Sequence, residues 1–334
     1  ASVASEAQKR GCLSLDAIGA VIRWQLTAAA NVLTVRYSVA DGQSGTLTLK
    51  ITPQTGSVYT VKMPVTSSQA WVYFDSQANE FDAQAGDGSL QPYKRYNEAR
   101  IKLPSTYQSG DLLEIRRDTG DTVQAWVDVL ETEVSTASPP SDLTPYLNAK
   151  TGYGAVGDGV ADDTTAIKNC ITAAAAAGKG VYLPSGTYKI TSSLSLPAGS
   201  TLQGDGMWWT ELFFSSTSSG GIVANGSNTK VRDLYVRGSQ STRATGYHGL
   251  AGWWGSGSWI ENVWIEQTTT GAWIGDYTSA SNLTDGLMIR NSRFRNCFAD
   301  GVNCAQGTLN TAVENCHVRG VGDDGLASWS SGFN

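Results

Sequence analysis

Two short segments concentrate acidic side chains. Phe298-Ala-Asp-Gly-Val-Asn303 carries Asp300, and Val321-Gly-Asp-Asp-Gly-Leu326 carries Asp323 and Asp324. Neither segment holds a lysine or arginine. Carboxylates packed without a cation raise one another's proton affinity, which lets one serve as an acid while another stays ionised. Glycoside hydrolysis needs that division of labour. Two plainer readings compete. Aspartate before glycine is a common turn pair, and three carboxylates can bind calcium.

An internal repeat tells how these residues are positioned. Val231-Arg-Asp-Leu-Tyr-Val236, Ile260-Glu-Asn-Val-Trp-Ile265, Ile289-Arg-Asn-Ser-Arg-Phe294 and Val313-Glu-Asn-Cys-His-Val318 align without gaps, with starts 29, 29 and 24 residues apart. A period in the twenties marks a solenoid. Positions one, four and six are mostly apolar or small, yet one and four differ in parity, so a straight strand cannot bury both. The chain must bend at position three, which is Asp233, Asn262, Asn291 or Asn315. Both residue types tolerate the left-handed conformation, and stacking would line them into a hydrogen-bonded ladder. This pattern predicts a right-handed parallel β-helix. Eleven residues beyond the repeat starts lie Thr242, Gly271, Asp300 and Asp324. Asp300 and Asp324 are therefore expected at the same position of adjacent coils, about 4.8 Å apart, with Asp323 beside them. That stacking favours hydrolysis over a turn or a calcium site. Asp300 and Val302 share parity, so a bend or bulge must separate an outward Asp from an inward Val.

Aromatic residues accompany the acids. Trp253, Trp254, Trp273 and Trp329, together with His248, are candidate sugar-binding residues, because indole faces pack on the CH faces of sugar rings. Trp273 has the parity of an interior residue. Tyr235, Trp264, Arg293 and His317 share an outward repeat position that can lie on another face. The lack of cations beside the aspartates favours a neutral glucan over polygalacturonate. His248 and His317 form no recognisable Ser-His-Asp arrangement.

The remainder of the chain sets limits. It has 334 residues, 37 glycines, 16% charged residues and a net charge of -6. That excludes a nucleic-acid backbone as the main partner, and no apolar run is long enough for a bilayer. Residues 1-140 alternate as strands. Leu33, Val35, Tyr37 and Val39 share one parity, as do Leu47, Leu49 and Ile51, with turn signals at Asp41-Gly42, Thr55-Gly56, Asp87-Gly88 and Ser109-Gly110-Asp111. An antiparallel β-sandwich is expected there, then a Ser135–Asp142 linker and a second domain over 141-334. In that domain Asp162 or Asp163 caps a helix whose Ala166, Ile167, Cys170, Ile171 and Ala174 share a face, and Gly178 ends it. Gly152-Tyr-Gly154-Ala-Val-Gly157 matches a dinucleotide fingerprint only formally, with no βαβ unit around it. The five cysteines read as thiols, not as a disulfide or zinc framework.

Three sets of residues carry a family resemblance. The Gly157-Asp-Gly-Val-Ala-Asp-Asp-Thr-Thr-Ala-Ile167 opening, the helix and the Val-Tyr-Leu-Pro-Ser-Gly-Thr-Tyr188 strand resemble the N-terminal cap of the pectate-lyase-like superfamily. The first half resembles the carbohydrate-binding-module sandwich of secreted glycan hydrolases, on Arg95-Tyr-Asn-Glu-Ala-Arg100 and Gly110-Asp-Leu-Leu-Glu-Ile-Arg116. Ala299-Asp-Gly-Val followed by Gly322-Asp-Asp-Gly resembles glycoside hydrolase family 87, the α-1,3-glucanases (mutanases), which join a sandwich to a β-helix. The resemblance implies endo-hydrolysis of α-1,3-glucan with inversion. Asp323 would be the general acid, with Asp300 and Asp324 together the base. It implies a secreted monomer without a required cofactor, the signal peptide being absent from this chain. A structural calcium at Glu6 and Asp128 stays open beside ordinary surface carboxylates. Polygalacturonase-like or dextranase-like hydrolysis, a calcium-dependent lyase and a non-catalytic glycan-binding β-helix are the alternatives. The last coil, ten residues beyond Asp324, has no terminal cap, so further coils are expected to frame the site.

Overall fold

The computed structural model describes residues 7–70, 72–75, 80–83, 92–94, 96–243, 246–275 and 281–329. Glu6, Arg95 and the Asp87-Gly88 turn lie outside them. The chain divides into two compact units, Ala1–Ser135 and Thr136–Asn334. The division precedes the expected 140/141 boundary, and hydrogen bonds explain why. Ser135 is tied both ways to Asn31 at 2.8 Å, whereas the Ser138 amide already donates to the Asp205 carbonyl at 2.8 Å.

The first unit is antiparallel. One sheet runs Leu13–Leu15, Ala125–Glu133, Ala30–Val39, Asn97–Tyr107, and a second runs Val21–Gln25, Leu112–Arg116, Ser44–Thr52, Tyr59–Thr66. The same-parity residues Leu33, Val35, Leu47, Leu49 and Ile51 are fully buried in one shared core. Asp128 sits where the register of Ala125–Glu133 shifts between Val127 and Val129. The bulge turns its carboxylate inward, where it pairs with Arg36 and accepts the Gln8 amide at 2.9 Å. These contacts make Asp128 one half of a buried ion pair.

The second unit is a parallel β-helix. Six parallel strands form one of its sheets: Leu194–Pro197, Ile222–Asn225, Leu250–Trp253, Ala272–Ile274, Val302–Cys304 and Leu326–Ser328. On a second sheet the repeats pair as the sequence requires, Val231 with Ile260, Ile260 with Ile289 and Ile289 with Val313. Their third residues are all left-handed, with φ of 56°, 53°, 53° and 48°. Asn262 Nδ2 donates to Asp233 Oδ1, and Asn315 Nδ2 to Asn291 Oδ1, each at 2.7 Å. Each bend costs left-handed strain, and the side-chain row together with burial on both sides offsets it. A second row of bends was not foreseen: Gln267, Asn296 and Gly320 are also left-handed, at 58°, 51° and 67°.

Helix Thr164–Ala177 closes the start of this core with Ile167, Cys170, Ile171 and Ala174 buried, and ends at left-handed Gly178. The two aspartates do separate work. Asp162 accepts the Thr164 amide at 2.9 Å, while Asp163 accepts the amides of Val156 and Gly157. The glycine-rich loop is thus held by a carboxylate of its own chain, not shaped for a phosphate. None of the five cysteines is in a disulfide, and Cys170 and Cys297 are buried.

Candidate active site

The three aspartates meet at one corner of the β-helix. Val302 pairs with Leu326, and the Gly301 amide donates to the Asp324 carbonyl at 2.9 Å, so Asp300 and Asp324 hold the same position of adjacent coils. Each of Asp300, Asp323 and Asp324 can bring a carboxylate oxygen within 4.8 Å of the others. Asp300 is 6% exposed, while Asp323 and Asp324 face solvent. The expected bend lies over 298–301, and it turns Asp300 out and Val302 into the core.

Earlier members of the column differ from expectation. Ala272 pairs with Val302 and Leu250 with Ala272. Thr270 and His248 therefore precede Asp300 in the column, in place of Gly271 and Thr242. The loops between coils differ in length, and a fixed count from the repeat start cannot register them. After each column member comes glycine: 249, 271, 301 and 325. A Cβ on Gly271 would stand 2.5 Å from the Gly301 carbonyl, and one on Gly301 2.6 Å from the Gly325 carbonyl. The coils touch backbone to backbone just behind the acids, and only glycine fits there. These Asp-Gly pairs are turns, as the plainer reading holds, and they are also the device that aims the carboxylates.

Both oxygens of Asp300 are engaged. Oδ2 accepts from Asn303 Nδ2 at 2.8 Å and Oδ1 accepts the Asp324 amide at 3.2 Å. Asp323 Oδ2 takes a hydrogen bond from Arg243 Nη2 at 2.7 Å. The expectation of an unneutralised cluster is corrected by this contact. The segments hold no cation, but a loop eighty residues upstream delivers one. The argument against an acidic substrate loses its force accordingly.

Of the aromatic candidates, Trp273, Trp329 and His248 come together. His248 stacks on Trp273, with centroids 5.0 Å apart and 20° between planes, and Trp329 meets Trp273 edge-on at 5.6 Å. Trp273 points outward from Ala272–Ile274, whose two end residues are buried, which corrects its interior assignment. It pairs in register with Asn303, the partner of Asp300, so the aromatic wall adjoins the acids. Trp254 is a correction in the other direction. The chain turns inward after Trp253, and Trp254 is fully buried in the solenoid core, unable to meet a sugar. Trp253 stays half-buried on the strand, two residues along from Ala251, which pairs with Trp273. Tyr235, Trp264, Arg293 and His317 line up on the other sheet, away from this wall. Sequence reasoning missed Arg243, Thr270 and Asn303. Asn303 alone was visible, as an outward residue within the acid-bearing segment.

Burial lowers the His248 imidazole from 6.5 to about 4. The unfolded chain then takes up a proton between those values that the folded one refuses. Stability from this group is present above pH 6.5 and lost as pH falls towards 4. His248→Gln is expected to flatten the decline in urea midpoint between pH 7 and 5 relative to the unmodified chain; parallel declines would contradict a buried neutral imidazole.

Comparison with known proteins agrees with this architecture. Residues 146–334 match the rhamnogalacturonase A/epimerase, pectate lyase-like model, and the chain belongs to that β-helix family. Residues 1–135 match the α-1,3-glucanase catalytic domain D1. The crystal structure of the Agl-KA catalytic domain superposes with a TM-score of 0.89 at 30% identity, covering 99% of this chain and 59% of its own. The catalytic unit of a family 87 α-1,3-glucanase from Streptomyces thermodiastaticus gives 0.81 at 31%, covering 98% and 56%. A family 87 α-1,3-glucanase domain in complex with nigerose gives 0.82 at 26%, covering 98% and 57%. The chain thus resembles these family 87 domains in its fold and domain order, and it spans somewhat over half their length. Among curated proteins, a glucan 1,3-β-glucosidase of Cochliobolus carbonum is 35% identical over 83 residues, 25% of this chain and 10% of that protein. A mannuronan C5-epimerase of Azotobacter vinelandii is 34% identical over 161 residues, 42% of this chain and 18% of that protein.

Proposed function

We propose that this protein hydrolyses α-1,3-glucan within the chain, outside the cell, through Asp300, Asp323 and Asp324. The observation that carries the reading is the meeting of Asp300 and Asp324 at one position of adjacent coils, with Asp323 beside them. Solved family 87 domains support it. Three of them carry aspartate-to-alanine substitutions at positions twenty-three and one residues apart, the spacing of the three acids here. Those domains were seen with nigerose or tetrasaccharides. Asp323 would protonate the glycosidic oxygen, and Asp300 with Asp324 would activate water. Trp273, His248 and Trp329 would bind the sugar faces.

Two features qualify the chemistry. Asp323, the proposed acid, is held by the Arg243 guanidinium at 2.7 Å. Turning Asp323 towards a glycosidic oxygen breaks that contact. Inverting pairs stand roughly 6.5–9.5 Å apart, wider than the nearest approach of these carboxylates. Asp323, being exposed, must swing outward when substrate enters. Proton NMR of the first product from α-1,3-glucan settles the stereochemistry. A β-anomer is expected, and an α-anomer would mean retention, with one aspartate acting as nucleophile. Reducing-sugar release from α-1,3-glucan, dextran and polygalacturonate tests the substrate; release from polygalacturonate alone would overturn it.

A further inference from the structure

Asn303 is 4% exposed and lies between the acids and the aromatic wall. Its amide orientation is fixed by chemistry. Nδ2 faces a carboxylate oxygen at 2.8 Å, and an amide oxygen there would be repelled. Its Oδ1 is consequently committed to the other side, where it is buried and accepts no hydrogen bond. An orphaned buried carbonyl is costly unless something donates to it. Because Oδ1 shares a carbon with Nδ2, it stays within about 5 Å of the Asp300 carboxylate, a span one water bridges with two hydrogen bonds.

We propose that Asn303 positions the attacking water, accepting one of its hydrogens on Oδ1 while Asp300 accepts the other. The inference rests on the hydrolytic reading above. A water held by both hydrogens turns a lone pair towards the anomeric carbon. As that oxygen bonds to the carbon, the glycosidic C–O bond breaks. Asp300 takes one proton of the water, and the leaving oxygen takes a proton from the acid. Asn303 exchanges no proton. It fixes the rotamer of the base through Nδ2 and the orientation of the nucleophile through Oδ1.

The split between kcat and KM provides the test, because orienting a nucleophile acts on turnover and not on the binding of the sugar. In Asn303→Ala, kcat is expected to fall roughly 10- to 100-fold with KM within about twofold of the parent. Asn303→Leu keeps the branched shape, and its kcat decides the matter should the alanine variant fail to fold. Undiminished kcat in either folded variant, or a loss of activity carried wholly by a raised KM, overturns the inference. A parent enzyme inactive on α-1,3-glucan would instead overturn the functional reading beneath it, so the parent's own turnover separates the two.

Discussion

Asp300→Asn is expected to leave a folded protein whose kcat on α-1,3-glucan is lower by about 10²–10⁴-fold, the usual worth of a positioned general base. The substitution keeps size and shape. It removes the charge that draws a proton from water. It also places an amide where two donors converge, Asn303 Nδ2 and the Asp324 amide. The new side chain has one oxygen for two donors, so one of them is left unmet at a cost of about 1–3 kcal/mol. Some thermal destabilisation should thus accompany the loss of rate. KM should change little, since Asp300 is buried behind the exposed pair and is not placed to grip the sugar. Measuring kcat, KM and melting temperature together checks each part. Near-normal kcat would remove Asp300 from the chemistry and leave it as a brace for the coil.

Gly301→Ala is the second large effect, and it acts without touching a charged group. The added methyl would stand 2.5 Å from Val318 Cγ1 and 2.6 Å from the Gly325 carbonyl. Backbone cannot yield as a flexible side chain can. The coils must part, at a cost of about 1–3 kcal/mol. In a unit of this size that is a fall of about 2–4 °C in melting temperature per kcal/mol. Parting the coils also stretches the bond from the Gly301 amide to the Asp324 carbonyl, which fixes the spacing of the two stacked acids. Activity is expected to drop at least about tenfold at temperatures where the variant is fully folded, because small displacements of reacting groups are expensive. A variant that melts early but turns over normally would show that the glycine column serves folding alone.

How much of this was legible follows from what the sequence can encode locally. The bend at Asp233, Asn262, Asn291 and Asn315 was legible because the parity conflict between positions one and four admits no straight strand. Asp300 and Asp324 were legible because one coil of 24 residues separates them, with no inserted loop. The preceding coils carry loops of other lengths, so counting placed Gly271 and Thr242 where Thr270 and His248 belong. Trp254 was misread because nothing in Trp253-Trp254 tells which indole faces inward; the turn after Trp253 decides it. Arg243 was invisible because its partner lies eighty residues away, in a loop with no periodicity to fix its direction. Contacts made by repetition can be read from one chain, whereas contacts made by loops cannot.

The side-chain row at the bends has a direction. In the bonds of Asn262 to Asp233 and Asn315 to Asn291, the later coil donates and the earlier coil accepts. The row is read one way, with Asn262 and Asn315 each handing an amide hydrogen backwards. Its first member has nothing to hand on. Asp233 can therefore be a carboxylate, and it collects Arg232 as well, at 2.6 Å. The same carboxylate at position 262 would have no hydrogen to give and would face Asp233 charge against charge. The one aspartate among three asparagines is thus a punctuation mark. It makes the two ends of the stack chemically distinct and gives a coil inserted out of order no grammatical place.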